Sequence, residues 1–292
     1  MHLAVIGSSK SWYLSDLMRA ANATGDTITS LPFTQIASSV RGGKCCVTSD
    51  GFDLSQFDAV LVRSMPPGTL EQVVFRMDCL LQLESQGVLV LNSPRSLEAA
   101  IDKYVGTARL IRAGLTVPET IVCQTVDQAM EAFHSLESDV VLKPIFGGEG
   151  RGIVRISDEA IAVRVTRSLE QTGCVFYVQK YVDHEGADIR VFLLGEQAYG
   201  MRRENRLDWR TNVSQGGTAK ALDVSDELRS DALAAARAME TEIAGIDFLQ
   251  GRDGVRYALE VNAVPGWRAL SKATNSDIAV DVLKYIRSRL DR

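Results

Sequence analysis

The chain has 292 residues, 46% of them apolar and 24% charged, ordinary globular proportions with length for two or three compact units. A formal net charge of −5 argues against a generally nucleic-acid-binding surface. Five cysteines without a C-x-x-C spacing make a poor disulfide framework and a poor metal knuckle, so free thiols in a reducing cytoplasm are expected.

Met1 to Gly7 lacks a basic leader and reads as a first strand, not a signal peptide. No run has the apolar length of a membrane span, so a cytoplasmic protein with no membrane partner is expected. Leu3–Gly7, Thr27–Leu31, Ala59–Arg63 and Val88–Asn92 are short apolar runs, with helical patterns over Tyr13–Ala23 and Val73–Gln86 between them. Strands alternating with helices predict a parallel sheet covered on both faces. Ligands meet such sheets beyond the strand C-termini, which puts Ser8, Ser9, Arg63 and Ser64 at the predicted ligand edge. A helix is predicted over Leu97–Ala113, carrying Lys103. Further on, strands are predicted near Asp188–Leu194, Gln197–Arg202, Ile246–Leu249 and Tyr257–Val261. Helices are predicted near Asp226–Ala244 and Asp277–Leu290, and runs of this kind fit α+β lobes.

The chemistry concentrates in the later part. Glu260 and Asn262 lie two apart at the end of a predicted strand, so their side chains share a face. Asp247, on the apolar segment before it, offers a third oxygen. Such a set suits Mg²⁺, with Mn²⁺ as an alternative, the remaining positions going to water and phosphate. Lys143 closes the apolar run Val140–Lys143. Gly147-Gly148-Glu149-Gly150-Arg151-Gly152 follows, with four glycines in six residues. That composition permits positive φ and close approach of backbone to an anion. It exceeds what a hairpin turn requires and favours a mobile phosphate lid. Two lysines, a glycine-rich loop and a later metal set form a nucleotide-triphosphate constellation. No G-x-x-x-x-G-K-[ST] is present, so it is not a P-loop.

In this combination the chain resembles the ATP-grasp superfamily, and within it the RimK-type carboxylate–amine ligases. Beyond the stretches already quoted, the resemblance is carried by Leu91-Asn92-Ser93, Asp102-Lys103, Val178-Gln179-Lys180-Tyr181-Val182, Asp188-Ile189-Arg190, Arg210-Thr211-Asn212, Gly216-Gly217, Gly245-Ile246-Asp247 and the turn Ala263-Val264-Pro265-Gly266. These run in family order from about residue 90 to the C-terminus. The resemblance implies an ATP-grasp fold with an N-terminal Rossmann-like parallel-sheet domain over residues 1–92, an ATP-grasp N-lobe over 93–177 and a C-lobe with the metal site over 178–292. It places Lys103 and Lys143 at the α- and β-phosphates, and residues 147–150 over the triphosphate. Gln179, Lys180, Tyr181 and Val182 become the hinge beside adenine. The family commonly has an acidic residue where Lys180 stands, which bears on side-chain but not backbone contacts to the base. Asp188 falls near the ribose, or else caps a strand. Arg190 and Arg203 fall on the transferred phosphoryl group, with Arg202 able to take the place of Arg203. Arg210, Thr211 and Asn212 lie beside the triphosphate and acceptor, and Asp247, Glu260 and Asn262 hold the metal.

The implied reaction is ADP-forming amide synthesis through an acyl phosphate, with glutamate as the amine and a small carboxylate as the acceptor. The Trp267-Arg268 and Ser11-Trp12-Tyr13-Leu14 stretches look most like ligases associated with tetrahydromethanopterin biosynthesis. Arg63, Trp267 and Arg268 are the candidate acceptor residues, although Trp267 serves equally as a core seal. Alternatives are a glutamate ligase acting on a protein C-terminus or carrier protein, a nucleotide-binding regulatory module, and a small-molecule kinase. A homo-oligomer with no nucleic-acid partner is expected. His2, His134 and His184 are scattered, and none is given a role.

Overall fold

The structure, a computed structural model, describes residues 1–147, 150–205, 207–212 and 216–291. Gly148 and Glu149, both predicted to cover the triphosphate, lie outside the described residues.

The chain opens with β1 (His2–Ile6), α1 (Trp12–Thr24) and β2 (Thr27–Leu31), then β3 (Ile36–Arg41), β4 (Lys44–Ser49) and β5 (Phe52–Asp53). β6 (Ala59–Val62), α2 (Leu70–Ser85) and β7 (Leu89–Leu91) follow. β2-β1-β6-β7 form the expected parallel sheet. Its residues alternate between two cores, as period-2 side chains must. Leu3, Val5 and Leu61 pack against α1 and the C-terminal helix, whereas Ala4, Ile6, Val60 and Val62 pack against α2 and the β3–β5 region. The antiparallel sheet β3-β4-β5 was not expected from the sequence. Its strands are short, with β3 polar and solvent-facing and β4 only partly buried, so they lack the apolar runs that mark a buried strand.

Next come α3 (Pro94–Ile101), α4 (Lys103–Arg112), β8 (Thr120–Cys123), α5 (Val126–Ser135), β9 (Val140–Lys143), β10 (Val154–Ile156), α6 (Glu159–Glu170) and β11 (Phe176–Lys180). The predicted helix over 97–113 is two helices. Asp102 takes an extended conformation and caps α4 by accepting from the amides of Tyr104 and Val105, a role that short acidic side chains fill well. Lys103 is therefore a first-turn residue and not a mid-helix one. β10-β9-β11-β8 form an antiparallel sheet, one face of which packs Val140, Leu142, Phe176 and Val178 against α5 and α6.

The last part holds β12 (Ala187–Leu194), β13 (Gln197–Glu204), β14 (Thr218–Leu222), α7 (Asp226–Ala238), β15 (Ile243–Gln250), β16 (Arg256–Asn262), α8 (Arg268–Thr274) and α9 (Ile278–Leu290). The strands order as β14-β13-β12-β15-β16, all antiparallel. The helix predicted to reach Ala244 stops at Ala238, and Ile243-Ala244 begin a central strand instead. Helical periodicity runs smoothly through Met239, and only sheet pairing with β12 decides the switch. One face of this sheet packs Val191, Leu193, Ile246 and Phe248 onto α7. The other face is divided. Phe192 and Leu194 meet Trp267, α1 and α9, while Asp188 and Arg190 on the same strand turn toward an open cleft.

Candidate active site

Lys143 and Tyr177 are register partners, as are Val141 and Gln179, so all four share the face of the β9–β11 sheet opposite the α5–α6 core. Lys143 is half-buried, and its Nζ donates to Gln179 Oε1 at 2.6 Å. Gln179 in turn donates to Thr120 Oγ1 at 2.9 Å and to the Tyr177 hydroxyl at 3.2 Å. The glutamine predicted for the nucleotide hinge thus has its side chain turned inward, where it fixes the lysine. Burial pushes the Lys143 ammonium down to about 8, against the attraction of Glu260. Lys103 reaches the same cleft from the first turn of α4 and donates to Gly147 O at 2.7 Å. Burial lowers its pKa too, and Glu260 opposes that shift. Gly150 and Gly152 both sit at φ 71°, conformations that L side chains rarely adopt.

The opposite wall is the charged end of the five-stranded sheet. Asp247 is paired in register with Arg190 on one side and Glu260 on the other, and Asn262 lies two residues beyond Glu260. The three predicted metal residues therefore share one face. Asp247 is held by Arg190 through two hydrogen bonds of 2.5 and 2.6 Å and by Arg203 at 2.9 Å. Burial raises its carboxyl pKa, but the two guanidiniums outweigh burial and hold it below the usual carboxylate range. Arg203 also grips Asp188 at 2.7 and 2.5 Å, and the Thr211 hydroxyl donates to Asp188 at 2.5 Å. Asp188 is therefore a buried partner of arginine and threonine and not a strand cap. Arg202 faces away and pairs with Glu204 at 3.0 Å, leaving Arg203 as the one of the two that lines the cleft.

Among the described residues no three of His, Cys, Asp and Glu are grouped to hold a metal. The donor set is two carboxylates and an amide, all oxygen, which suits a hard cation that retains water. The fit has one condition. Asn262 Oδ1 accepts from the Val264 amide at 2.8 Å and both Asp247 oxygens face arginines, so a cation shares these atoms with existing partners.

Lys103, Lys143, Gly147, Gly150, His184, Asp188, Arg203, Arg210, Thr211, Asn212, Asp247 and Glu260 line one cleft. Of the predicted residues, Arg63, Gln179, Lys180, Tyr181, Val182, Arg190, Asn262, Trp267 and Arg268 are not part of that lining. Lys180 points outward and pairs with Glu137 at 2.5 Å and Glu119 at 3.7 Å. The Tyr181 ring is covered by the Arg155 guanidinium, 3.4 Å from its centroid. Trp267 is fully buried, with its Nε1 donating to Asp16 at 2.9 Å. It seals the core and offers no open face for stacking on an acceptor, because Arg63 lies 4.4 Å from its ring and Tyr13 and Phe192 meet it edge-on. Arg268 is exposed and sits 5.4 Å from the Trp12 ring. Sequence reasoning passed over Trp209 and His184 at the cleft. Nothing in their local spacing marks them, since both act through backbone neighbours.

The RimK-like ATP-grasp domain family matches residues 100–286, and the RimK pre-ATP-grasp family matches residues 1–97. The chain belongs to the RimK-like ATP-grasp family. It is an ATP-grasp ligase that forms carbon–nitrogen bonds, and ATP and Mg²⁺ are general features of the family. The chain is 34% identical over 268 residues to the tetrahydromethanopterin:alpha-L-glutamate ligase of Methanosarcina acetivorans, covering 81% of this chain and 82% of the relative. It is 31% identical to a probable alpha-L-glutamate ligase of Haemophilus influenzae, covering 80% and 76%. The ATP-grasp ligase PsnB, solved with a minimal precursor, superposes with a TM-score of 0.78 at 23% identity over 98% of both chains, which supports the fold. Among the described residues no helix is long and apolar enough to cross a membrane.

Proposed function

We propose that this ligase adds L-glutamate to a carboxylate-bearing small molecule, such as a pterin coenzyme, with ATP and Mg²⁺, and that Mn²⁺ substitutes for Mg²⁺. The observation that carries the site assignment is the convergence of Lys103, Lys143, Arg203, Asp247 and Glu260 on one cleft. Both glutamate-ligase relatives support the amine, and the tetrahydromethanopterin ligase supports the acceptor class. We keep residues 1–92, 93–177 and 178–292 as the working division, the cleft lying between the last two parts.

The acceptor carboxylate attacks the γ-phosphorus and ADP leaves. The amine then attacks the acyl carbon, a proton is lost from nitrogen, and inorganic phosphate departs. Lys103 and Lys143 serve the α- and β-phosphates as point charges, with residues 147–150 closing over them. The hinge backbone of Lys180, Tyr181 and Val182 receives adenine, and Asp188 stands toward the ribose. Arg190 and Arg203 stabilise charge on the transferred phosphoryl oxygens, while Arg210, Thr211 and Asn212 border the triphosphate and acceptor. Asp247, Glu260 and Asn262 would hold the metal, which would supply charge neutralisation to the phosphates.

Arg63 is the strongest acceptor-side residue. It is nine-tenths buried, its Nη2 donates to Pro265 O at 2.8 Å, and its Nε has no partner. Burial pulls its pKa to about 10. An unpaired buried cation is costly, and an incoming carboxylate would offset that cost. A Cβ at Gly245 would lie 2.9 Å from Pro265 Cβ and 3.8 Å from Arg190 Nε, so the residue whose carbonyl holds Arg63 packs beside the Arg190–Asp247 pair. Arg268, exposed beside Trp12, is the second candidate.

The deciding experiment screens amino acids and candidate acceptors for stimulated ADP release, with mass spectrometry of the product. ADP, phosphate and a glutamyl amide of a small carboxylate are expected. AMP with pyrophosphate would exclude the acyl-phosphate path, and glutamylation confined to a protein C-terminus would overturn the acceptor class.

A further inference from the structure

His184 is buried, and each of its ring nitrogens faces a backbone carbonyl. Nδ1 lies 2.9 Å from Val182 O and Nε2 lies 3.0 Å from Trp209 O. A carbonyl oxygen only accepts, a neutral imidazole has one N–H, and an imidazolium has two. A neutral ring therefore satisfies one carbonyl and turns a lone pair toward the other. The doubly protonated ring satisfies both.

The two carbonyls belong to different parts of the cleft. Val182 follows β11 in the connection between the lobes. Trp209 leads into Arg210, Thr211 and Asn212, all of which line the cleft together with His184. The same stretch is anchored at its other end by Thr211 on Asp188 and by Asn205, whose side chain donates to Arg210 O at 2.8 Å.

We propose that His184, in its doubly protonated form, is a positioning residue that ties the 207–212 loop to the inter-lobe connection and thereby sets one wall of the nucleotide cleft. That this cleft takes nucleotide rests on the ATP assignment; the tie itself does not. The charged and titratable groups around the ring are identifiable. Tyr181 places its hydroxyl 3.5 Å from Nδ1, with Arg155 stacked on its ring. Asp183, the preceding residue, pairs with Arg252, and Glu185 follows in the chain. Asp208 in the loop pairs with Arg210. Asp188 and Arg203 pair with each other, and Lys103, Lys143, Asp247 and Glu260 complete the cleft lining. Among the described residues no carboxylate pairs with His184, and its two ring nitrogens face only the two carbonyls and the Tyr181 hydroxyl. The competing arrangement is a neutral ring with Nε2–H on Trp209 O and Nδ1 accepting from Tyr181. It leaves Nδ1 and Val182 O as two acceptors 2.9 Å apart.

Nitrogen NMR of the imidazoles in the nucleotide-free full chain tests this between about pH 5 and about pH 8, the interval in which histidine side chains change charge. The chain has three histidines, and the His184 signals are those that vanish in His184→Gln. The expected result is a ring protonated at both nitrogens at the acid end. Amide protection of residues 207–212, corrected for intrinsic exchange, should fall by about tenfold as that ring loses its proton. In His184→Gln and His184→Phe the protection should be low and free of that step. The KM for ATP should rise across the same step in wild type and stay flat in both variants, with kcat little changed. A ring that stays singly protonated throughout, or variants whose protection follows the wild-type pH course, would overturn the proposal. The exchange measurement needs only wild type, and His2→Gln and His134→Gln leave the remaining imidazole signals to His184 by elimination, so a His184 variant that fails to fold leaves the test intact. Wild type that binds no Mg–ATP at any pH would remove the nucleotide assignment while leaving the imidazole and loop results to stand or fall alone.

Discussion

Four side chains dominate the cleft at the residue scale. Asp188, Arg203, Asp247 and Arg190 form a buried row of alternating charge. Pairing of this kind offsets desolvation, but removing one member leaves a charge without its partner. Arg203→Met is expected to cost about 3–5 kcal/mol in urea unfolding. Because Asp247 is held below its usual pKa, its contribution is complete above about pH 4 and is lost as pH falls further. Acid unfolding of Arg203→Met should therefore begin at a higher pH than that of wild type. Glu260→Gln and Asn262→Ala should behave differently, lowering kcat by about 100-fold or more while circular dichroism melts stay close to wild type. Lys143 gives a second pH signature. Its folded pKa of about 8 lies below the free lysine value, so the free enzyme loses this cation as pH rises through that point. Affinity for Mg–ATP should weaken above it in calorimetric titrations, and Lys143→Arg should flatten the profile.

At the scale of elements, strand alternation sorts chemistry from packing. On β12, Asp188 and Arg190 face the cleft while Ile189 and Val191 face α7, and the same rule puts Lys143 and Gln179 opposite the Val140 and Leu142 side of β9 and β11. The side chains assigned to the proposed site thus stand largely on sheets. The 147–152 loop touches Lys103 only through the Gly147 carbonyl in the described contacts. A phosphate competing for that ammonium would re-site the loop. Hydrogen exchange should show residues 146–153 gaining protection with Mg²⁺ and a non-hydrolysable ATP analogue; equal protection in both states would favour a rigid turn. The other loop is sterically pinned, since a Cβ at Gly217 would lie 2.3 Å from Thr211 O. Gly217→Ala should raise the KM for ATP several-fold by displacing Thr211 from Asp188, which nucleotide titrations would detect.

Across the whole molecule, Asn92 holds the parts together. Its amide donates to Ile243 O at 2.7 Å and Ala263 O at 2.6 Å, and its oxygen accepts from the amides of Glu242 and Ile243, both at 2.9 Å. The end of the parallel sheet is thereby stapled to the start of β15 and to the turn after β16. Asn92→Leu leaves several buried backbone groups unpaired and should cost about 2–4 kcal/mol by urea unfolding. Because the turn carries Pro265, which holds Arg63, the same variant should raise the acceptor KM more than the KM for ATP.

The sequence by itself determined the parallel sheet, the lysine strand, the glycine-rich composition of residues 147–152 and the strand that carries Glu260 and Asn262. In each, local periodicity or composition carries the signal within a few residues: alternating apolar runs, four clustered glycines, two polar residues spaced by two. It could not decide what depends on partners distant in the chain. Whether helix α7 ended at Ala238 or ran on to Ala244 was settled by pairing of Ile243 and Ala244 with β12. Which of Arg202 and Arg203 lines the cleft depends on which of two adjacent strand residues faces Asp188. Trp267 became a core residue because Arg63, some two hundred positions earlier, lies against its ring. His184 gained its role from two carbonyls that no side-chain pattern encodes. Period and composition are local properties, whereas burial, charge pairing and backbone hydrogen bonding are set by which surfaces meet, and only the tertiary structure fixes that.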